Sequence, residues 1–123
     1  MTALEKRDLG AHDVVLNGKS LKAHVMLEVF HDDVDPADLS DPAVFDSPAD
    51  YQAYLQRFET GDLCMVVLVV TATFVGLEGS DVLGGCEVAK PGDVDMYLTE
   101  HGMVAAALSD LQATVARTLT AFA

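Results

Sequence analysis

One apolar run, LCMVVLVVTATFV from Leu63 to Val75, constrains the fold more than any other part of the chain. It is rich in β-branched residues, which favour strands over helices. Alternate positions from Cys64 to Phe74 form an unbroken apolar face, and the opposite face is apolar until Thr71 and Thr73. We therefore predict a central strand with one face fully covered and the other partly covered. The run is too short for a membrane-spanning helix, which needs roughly 20 residues.

The dipeptide Asn17-Gly18 predicts a tight hairpin near the N-terminus, because both central residues of a type I′ turn need positive φ. Such a turn pairs Leu16 with Lys19, Val14 with Leu21 and Asp13 with Lys22. Apolar residues then face apolar residues and an acid faces a base, so the register is self-consistent.

Two helices and a second pair of strands follow from the remaining patterns. Ser47 and Pro48 are typical of a helix start, and Gly61 is typical of its end. Its apolar positions are Tyr51, Tyr54, Leu55 and Phe58. We expect GLEGSD to form the turn after the central strand, VLGGCEV to return as a shorter strand, and Gly84-Gly85 to form a bulge. A helical stripe runs from about Asp95 to the C-terminus, through Val104, Leu108, Leu111, Val115, Leu119 and Phe122.

These elements predict an α+β fold with a four-stranded, mostly antiparallel sheet, in the order β-β-α-β-β-α with a long C-terminal helix. We expect residues 1–10 to be a loose N-terminal arm and residues 11–123 to be a single α+β domain. Either the two helices lie on opposite faces of the sheet, or both cover one face and leave an apolar patch on the other, which then packs on a partner or on a second copy of the chain. We expect a homodimer. The residues of this possible self-association face are Met26, Phe30, Met65, Val67 and Val69.

Charge excludes some classes of partner. Lys and Arg number 7 against 20 Asp and Glu, a net charge of −13, so direct binding to nucleic acid or to an anionic membrane is disfavoured. The acids are concentrated in residues 28–62, which hold ten of them against Arg57 alone. Seven aspartates there form a candidate partner-binding surface: Asp32, Asp33, Asp35, Asp38, Asp41, Asp46 and Asp50. A solvated connector or adaptation to salt would explain the same acids without a partner.

No motif for catalysis, metal binding or a cofactor emerges from the sequence. Asp33 and Asp35 alternate as in a calcium loop, but Pro36 follows and the expected Gly and terminal Glu are missing. The cysteines, Cys64 and Cys86, lie in apolar runs without a CxxC motif, and we expect both to be reduced. We predict no catalytic residue, no metal site and no cofactor, and the N-terminus lacks a signal core, which indicates a cytoplasmic location.

The stretch GLEGSDVLGGCEV with the Ala-rich helix after it, over about residues 63–120, resembles small uncharacterised proteins of actinobacteria and their phages. That resemblance implies host-directed or defence-related inhibition, often by binding of one target protein. We therefore expect a small, acidic, non-enzymatic binding or inhibitor protein that engages a basic, nucleic-acid-binding site on a host protein. The alternative is a small dimeric protein that binds or processes a small molecule between the sheet and the C-terminal helix.

Overall fold

The computed structural model describes residues 2–122, in which a four-stranded antiparallel sheet is combined with helices. The strands are β1 (Glu5–Leu16), β2 (Lys19–His31), β3 (Cys64–Phe74) and β4 (Leu77–Val88), and their order in the sheet is their order in the chain. The helices are α1 (Pro36–Leu39), α2 (Pro48–Thr60), α3 (Gly92–Glu100) and α4 (Met103–Ala121), with a 3₁₀ turn at Pro42–Val44 between α1 and α2. The predicted α+β class, the antiparallel sheet and the long C-terminal helix are confirmed.

The N-terminal hairpin forms in the predicted register. Asn17 and Gly18 have φ of 51° and 77°, and the three expected pairs all occur across the turn. Lys22 lies beside Asp13 as an ion pair at 2.5 Å. Local turn chemistry and the alternation of apolar side chains therefore suffice to set this part of the sheet.

The predicted N-terminal arm is wrong for residues 5–10, because β1 begins at Glu5. The charged run EKRD had the composition of a loose segment, yet each of its four residues pairs with a residue of β2, from Glu5 with Val29 to Asp8 with Met26. An edge strand tolerates such charges because its side chains stay near water. A bulge between Asp8 and Gly10 interrupts the pairing. Residues 1 and 123, the outer ends of the predicted arm and domain, lie outside the described residues.

The hairpin of β3 and β4 has a shorter turn than expected. Only Val75 and Gly76 connect the strands, both with positive φ (48° and 79°), so most of the predicted turn GLEGSD belongs to β4. The predicted bulge is present, because two glycines, Gly84 and Gly85, lie between the pairs Val66–Cys86 and Leu68–Leu83. Gly85 has φ of 66°, a conformation that glycine adopts without a Cβ penalty.

Helix α4 packs directly on the face of the sheet that carries Val25, Leu27, Leu68 and Val70, which we call the inner face. The opposite, outer face carries Met65, Val67 and Val69. The helix contributes Met103, Ala107, Leu111 and Val115 to the buried core. The closest approach is at Gly79 of β4, where an added Cβ would lie 2.0 Å from the backbone nitrogen of Leu111. A residue with no side chain is required there, because the helix backbone occupies the space of a Cβ.

The C-terminal helical region differs from the prediction in two respects. It is divided into α3 and α4 at His101 and Gly102, and Gly102 has φ of 55°. The predicted stripe is also shifted at its end, because Leu119 is 45% and Phe122 is 86% exposed. The buried stripe follows Met103 at intervals of four residues instead, so the helix ends beyond the core.

The two predicted helices lie on opposite sides of the sheet. Helix α4 covers the inner face, whereas Tyr54 of α2 donates a hydrogen bond to the carboxylate of Glu87. Glu87 is paired with Met65, and both belong to the outer face. Helix α2 begins and ends as predicted, with Ser47 as N-cap and Gly61 in the left-handed conformation after its last residue.

Candidate functional site

The connection between β2 and β3 carries the acidic residues and forms a separate layer at one end of the outer face. We call residues 34–62 the acidic strap; they comprise α1, the 3₁₀ turn, α2 and their flanking residues. Asp32 and Asp33 form its base. Six of the seven predicted partner-binding aspartates have exposed side chains, and Asp32 is half-buried.

Asp32 has a structural role. Its carboxylate accepts hydrogen bonds from the backbone N–H of Gly85 at 2.8 Å and of Val34 at 3.2 Å. The first joins the base of the strap to the bulge of β4, 53 positions along the chain. A carboxylate satisfied by two backbone donors is a poor contact for a partner, so Asp32 anchors the strap.

Two further aspartates shape the strap itself. Asp35 accepts from the backbone N–H of Ala37 at 3.0 Å at the start of α1, and Asp41 accepts from that of Ala43 at 2.9 Å at the 3₁₀ turn. Each therefore acts as an N-cap, which is a favoured position for aspartate. Capping uses one carboxylate oxygen, and the charge stays at the surface.

The other exposed aspartates are less constrained. Asp33 lies 3.1 Å from Nδ1 of His31. Among the hydrogen bonds and ion pairs of the described residues, none involves the side chains of Asp38, Asp46 or Asp50. Their carboxylates are therefore available to a partner in full.

A cleft of about 560 Å³ opens at the base of the strap. Three of the predicted aspartates come together in its wall, whereas the remaining four do not line it. The wall consists of His31, Asp32, Asp33, Val34, Asp35, Pro36, Phe58, Gly61, Leu63, Cys64 and Met65. Within residues 2–122, no group of three or more His, Cys, Asp or Glu side chains is arranged to hold a metal ion.

Tyr54 joins the strap to the sheet. Its hydroxyl donates to the carboxylate of Glu87 and accepts from the hydroxyl of Ser40 at 3.1 Å. Burial and then the hydrogen bond to Glu87 raise the pKa of Tyr54, so its phenol is neutral in ordinary buffers. The ring also packs between Phe45 and Phe58, with 5.2 Å between ring centroids in each pair. Sequence reasoning missed this connection, because nothing local links residue 54 to residue 87.

The alternative site, between the sheet and the C-terminal helix, is closed where the backbone of α4 meets Gly79. A groove of about 390 Å³ opens beside the start of α3, where Val94 lies near Val66. A second groove, of about 340 Å³, opens beside the N-terminal hairpin and is lined by Asp13, Val14, Val15, Ser20, Ala105, Leu108, Ser109 and Gln112. The inner face also holds the buried thiol of Cys86, whose pKa is raised by burial and then by the charge of Asp32. Both cysteines are free.

The predicted self-association face is split by the strap. Met65 is only 4% exposed, because the end of the outer face where it lies is covered. Met26, Phe30, Val67 and Val69 are half-buried, and Val82 of β4 beside them is 59% exposed. The patch available to a second molecule is therefore displaced towards β4.

Comparison of the chain with protein-family models, curated proteins and solved structures finds no match. None of the helices within residues 2–122 combines the length and the apolar character needed to cross a membrane.

Proposed function

We propose that the protein is a small, non-enzymatic binding protein whose acidic strap engages a basic surface on a partner protein. The observation that carries the proposal is the exposure of Asp33, Asp35, Asp38, Asp41, Asp46 and Asp50 on one connection between two strands. Residues 28–62 have a net charge of −9, from ten acids and Arg57. The rest of the chain has a net charge of −4, from ten acids and six bases.

Electrostatic attraction explains how such a surface would find its partner. Concentrated charge of one sign steers a basic protein into contact and raises the association rate. A basic groove that normally holds nucleic acid offers Lys and Arg side chains spaced for phosphates. A run of carboxylates presents negative charge to these side chains, as the phosphates do. The resemblance to small phage and actinobacterial proteins supports a host-directed inhibitor as the form that this binding takes.

The test compares two variants with the same change of charge. One carries Asp38→Asn, Asp46→Asn and Asp50→Asn, which removes three strap carboxylates that have no hydrogen-bond or ion-pair partner within residues 2–122. The control carries Glu78→Gln, Asp81→Asn and Glu100→Gln, outside the strap. Each tagged protein is incubated with lysate of the source organism, and retained proteins are identified at low and high salt.

We expect the parent and the control to retain the same basic protein, and duplex DNA to displace it. Retention by the strap variant should fall about tenfold, if each carboxylate contributes about 0.5 kcal/mol. Equal losses in both variants would show that only total charge matters. Equal retention by all three proteins would contradict the proposal. The groove beside the N-terminal hairpin would then be the next candidate site.

A further inference from the structure

The acidic strap is held together by ring contacts and helix caps within itself. An aromatic cluster joins its parts, with 5.2 Å between the ring centroids of Phe45 and Tyr51 and the same distance between those of Phe45 and Tyr54. The N-caps Asp35, Asp41 and Ser47 fix its three helical segments. The strap is thus a body that can keep its own shape.

Its attachment to the sheet is slight. Helix α2 has no buried residue, whereas α4 has four. Among the described residues, the bond from Tyr54 to Glu87 is the one hydrogen bond between residues 34–62 and the four strands. At the cleft at the base, Phe58 lies near Leu63 and Met65.

The two ends of the strap are suited to act as hinges. At the C-terminal end, Gly61 has φ of 86° and no neighbour that a Cβ would meet within 4 Å. At the N-terminal end, Asp32 is fixed to Gly85, so movement begins after a firm anchor.

We propose that the acidic strap detaches from the sheet as a hinged unit while the sheet stays folded, and that the Tyr54–Glu87 hydrogen bond is its latch. Detachment would expose Met65 and free the aspartates to follow a partner's surface. Its role in regulating partner binding rests on the proposed function, but the motion itself does not. Local opening of this kind is expected where few apolar contacts hold a segment.

Hydrogen exchange measured by mass spectrometry on the isolated full chain tests the motion without any partner. The variants Tyr54→Phe and Glu87→Gln each remove the latch from one side. Tyr51→Phe is the control, because Tyr51 belongs to the same aromatic cluster but its hydroxyl forms no hydrogen bond to the sheet among the described residues. Circular dichroism checks that each variant keeps the secondary structure of the parent.

In the parent, amides of residues 36–60 should exchange faster than those of β2 and β3 but slower than in an unstructured peptide. Both latch variants should speed exchange of the strap about tenfold, the effect of losing one hydrogen bond to a charged group. Exchange of β2 and β3 should stay unchanged, as should all exchange in Tyr51→Phe.

Three results would overturn the proposal. The strap and β2–β3 could exchange at one common rate, which would mean that the strap opens only when the protein unfolds. The strap of the parent could exchange without any protection, which would mean that no closed state exists. Tyr51→Phe could match Tyr54→Phe, which would assign the effect to ring packing. Failure of partner binding changes none of these measurements, so the two proposals fail separately.

Discussion

Asp32 and Asp38 are only six positions apart, yet they have different roles in the structure. Asp32 satisfies the backbone N–H groups of Gly85 and Val34, whereas Asp38 is exposed with no side-chain partner among the described residues. From the sequence both belonged to one acidic surface. Composition identifies the charge of such residues, but only the contact with the bulge of β4 shows which carboxylate accepts backbone hydrogen bonds from a distant strand.

Replacing Asp32 should therefore destabilise the protein. We expect Asp32→Ala to lower the free energy of unfolding by about 1–2 kcal/mol, because the N–H of Gly85 loses its acceptor. Asp38→Ala should change it by less than about 0.5 kcal/mol, as is usual at the surface. Urea unfolding of the three proteins measures the difference, and equal stability of both variants would contradict this role.

Gly79 allows a second prediction at the scale of one residue. An added methyl group would meet backbone atoms of Leu111 and Ala107 at 2.0–2.6 Å, which flexible side chains cannot relieve. Gly79→Ala should lower the free energy of unfolding by at least about 2 kcal/mol, the range of overpacking in a core. Gly92→Ala, where nothing lies within 4 Å, is the control and should be close to neutral. Thermal unfolding checks both, and a stable Gly79→Ala would mean that α4 shifts freely.

At the scale of elements, the parts that local chemistry determines were predictable. The N-terminal hairpin, the bulge at Gly84-Gly85 and the bounds of α2 each depend on residues close together in sequence. The start of β1 was not predictable, because a charged edge strand has no apolar face to identify it. Val75 also gave no sign of its positive φ, since a β-branched residue rarely adopts it.

The candidate site was predictable only in part for the same reason. The position of the acids along the chain was evident, but the path of the strap depends on contacts between distant residues. Asp32 binds Gly85, and Tyr54 binds Glu87, each across more than 30 positions. No periodicity within a short window contains that information.

The Tyr54–Glu87 hydrogen bond leads us to expect that alkaline pH detaches the strap from the sheet. The raised pKa of Tyr54 favours the neutral phenol in the folded protein, and the groups that face it are Glu87, Tyr51 and Ser40. The stabilisation is therefore complete below the ordinary value of 10.0 and is lost as the pH rises through the raised pKa. We expect the near-ultraviolet circular dichroism of the aromatic cluster to decrease at a lower pH than the far-ultraviolet signal of the sheet.

Two variants separate this transition from other tyrosines. Tyr97 also has a pKa raised by burial, and it hydrogen-bonds the backbone of Glu87, so Tyr97→Phe should keep the early transition. Tyr54→Phe should lack it. Coincident loss of both signals in the parent would show that the strap and the sheet unfold together.

At the scale of the whole molecule, we still expect a homodimer that forms through the outer face. Val69, Val67 and Val82 form an apolar patch beyond the strap, and two copies could bury it against each other. Each copy has a net charge of −13, so association should strengthen as salt screens the repulsion.

Sedimentation at several salt concentrations tests this expectation. Val69→Asp should shift the equilibrium to monomers by at least about tenfold, the effect of burying one unpaired charge. The control is Val75→Asp, at a turn residue that is 85% exposed. A parent that stays monomeric at every salt concentration would exclude the homodimer.

The base of the strap brings distant parts of the chain together, because the N–H of Asp32 donates to the carbonyl of Met65 at 2.9 Å. β2 and β3 are therefore adjacent antiparallel strands, and the strap is an insertion in the connection that makes them a hairpin. Loops between adjacent antiparallel strands tolerate large changes of length at small entropic cost. A short turn could replace the strap and leave a minimal sheet, and the strap could be grafted into another hairpin as a transferable acidic module.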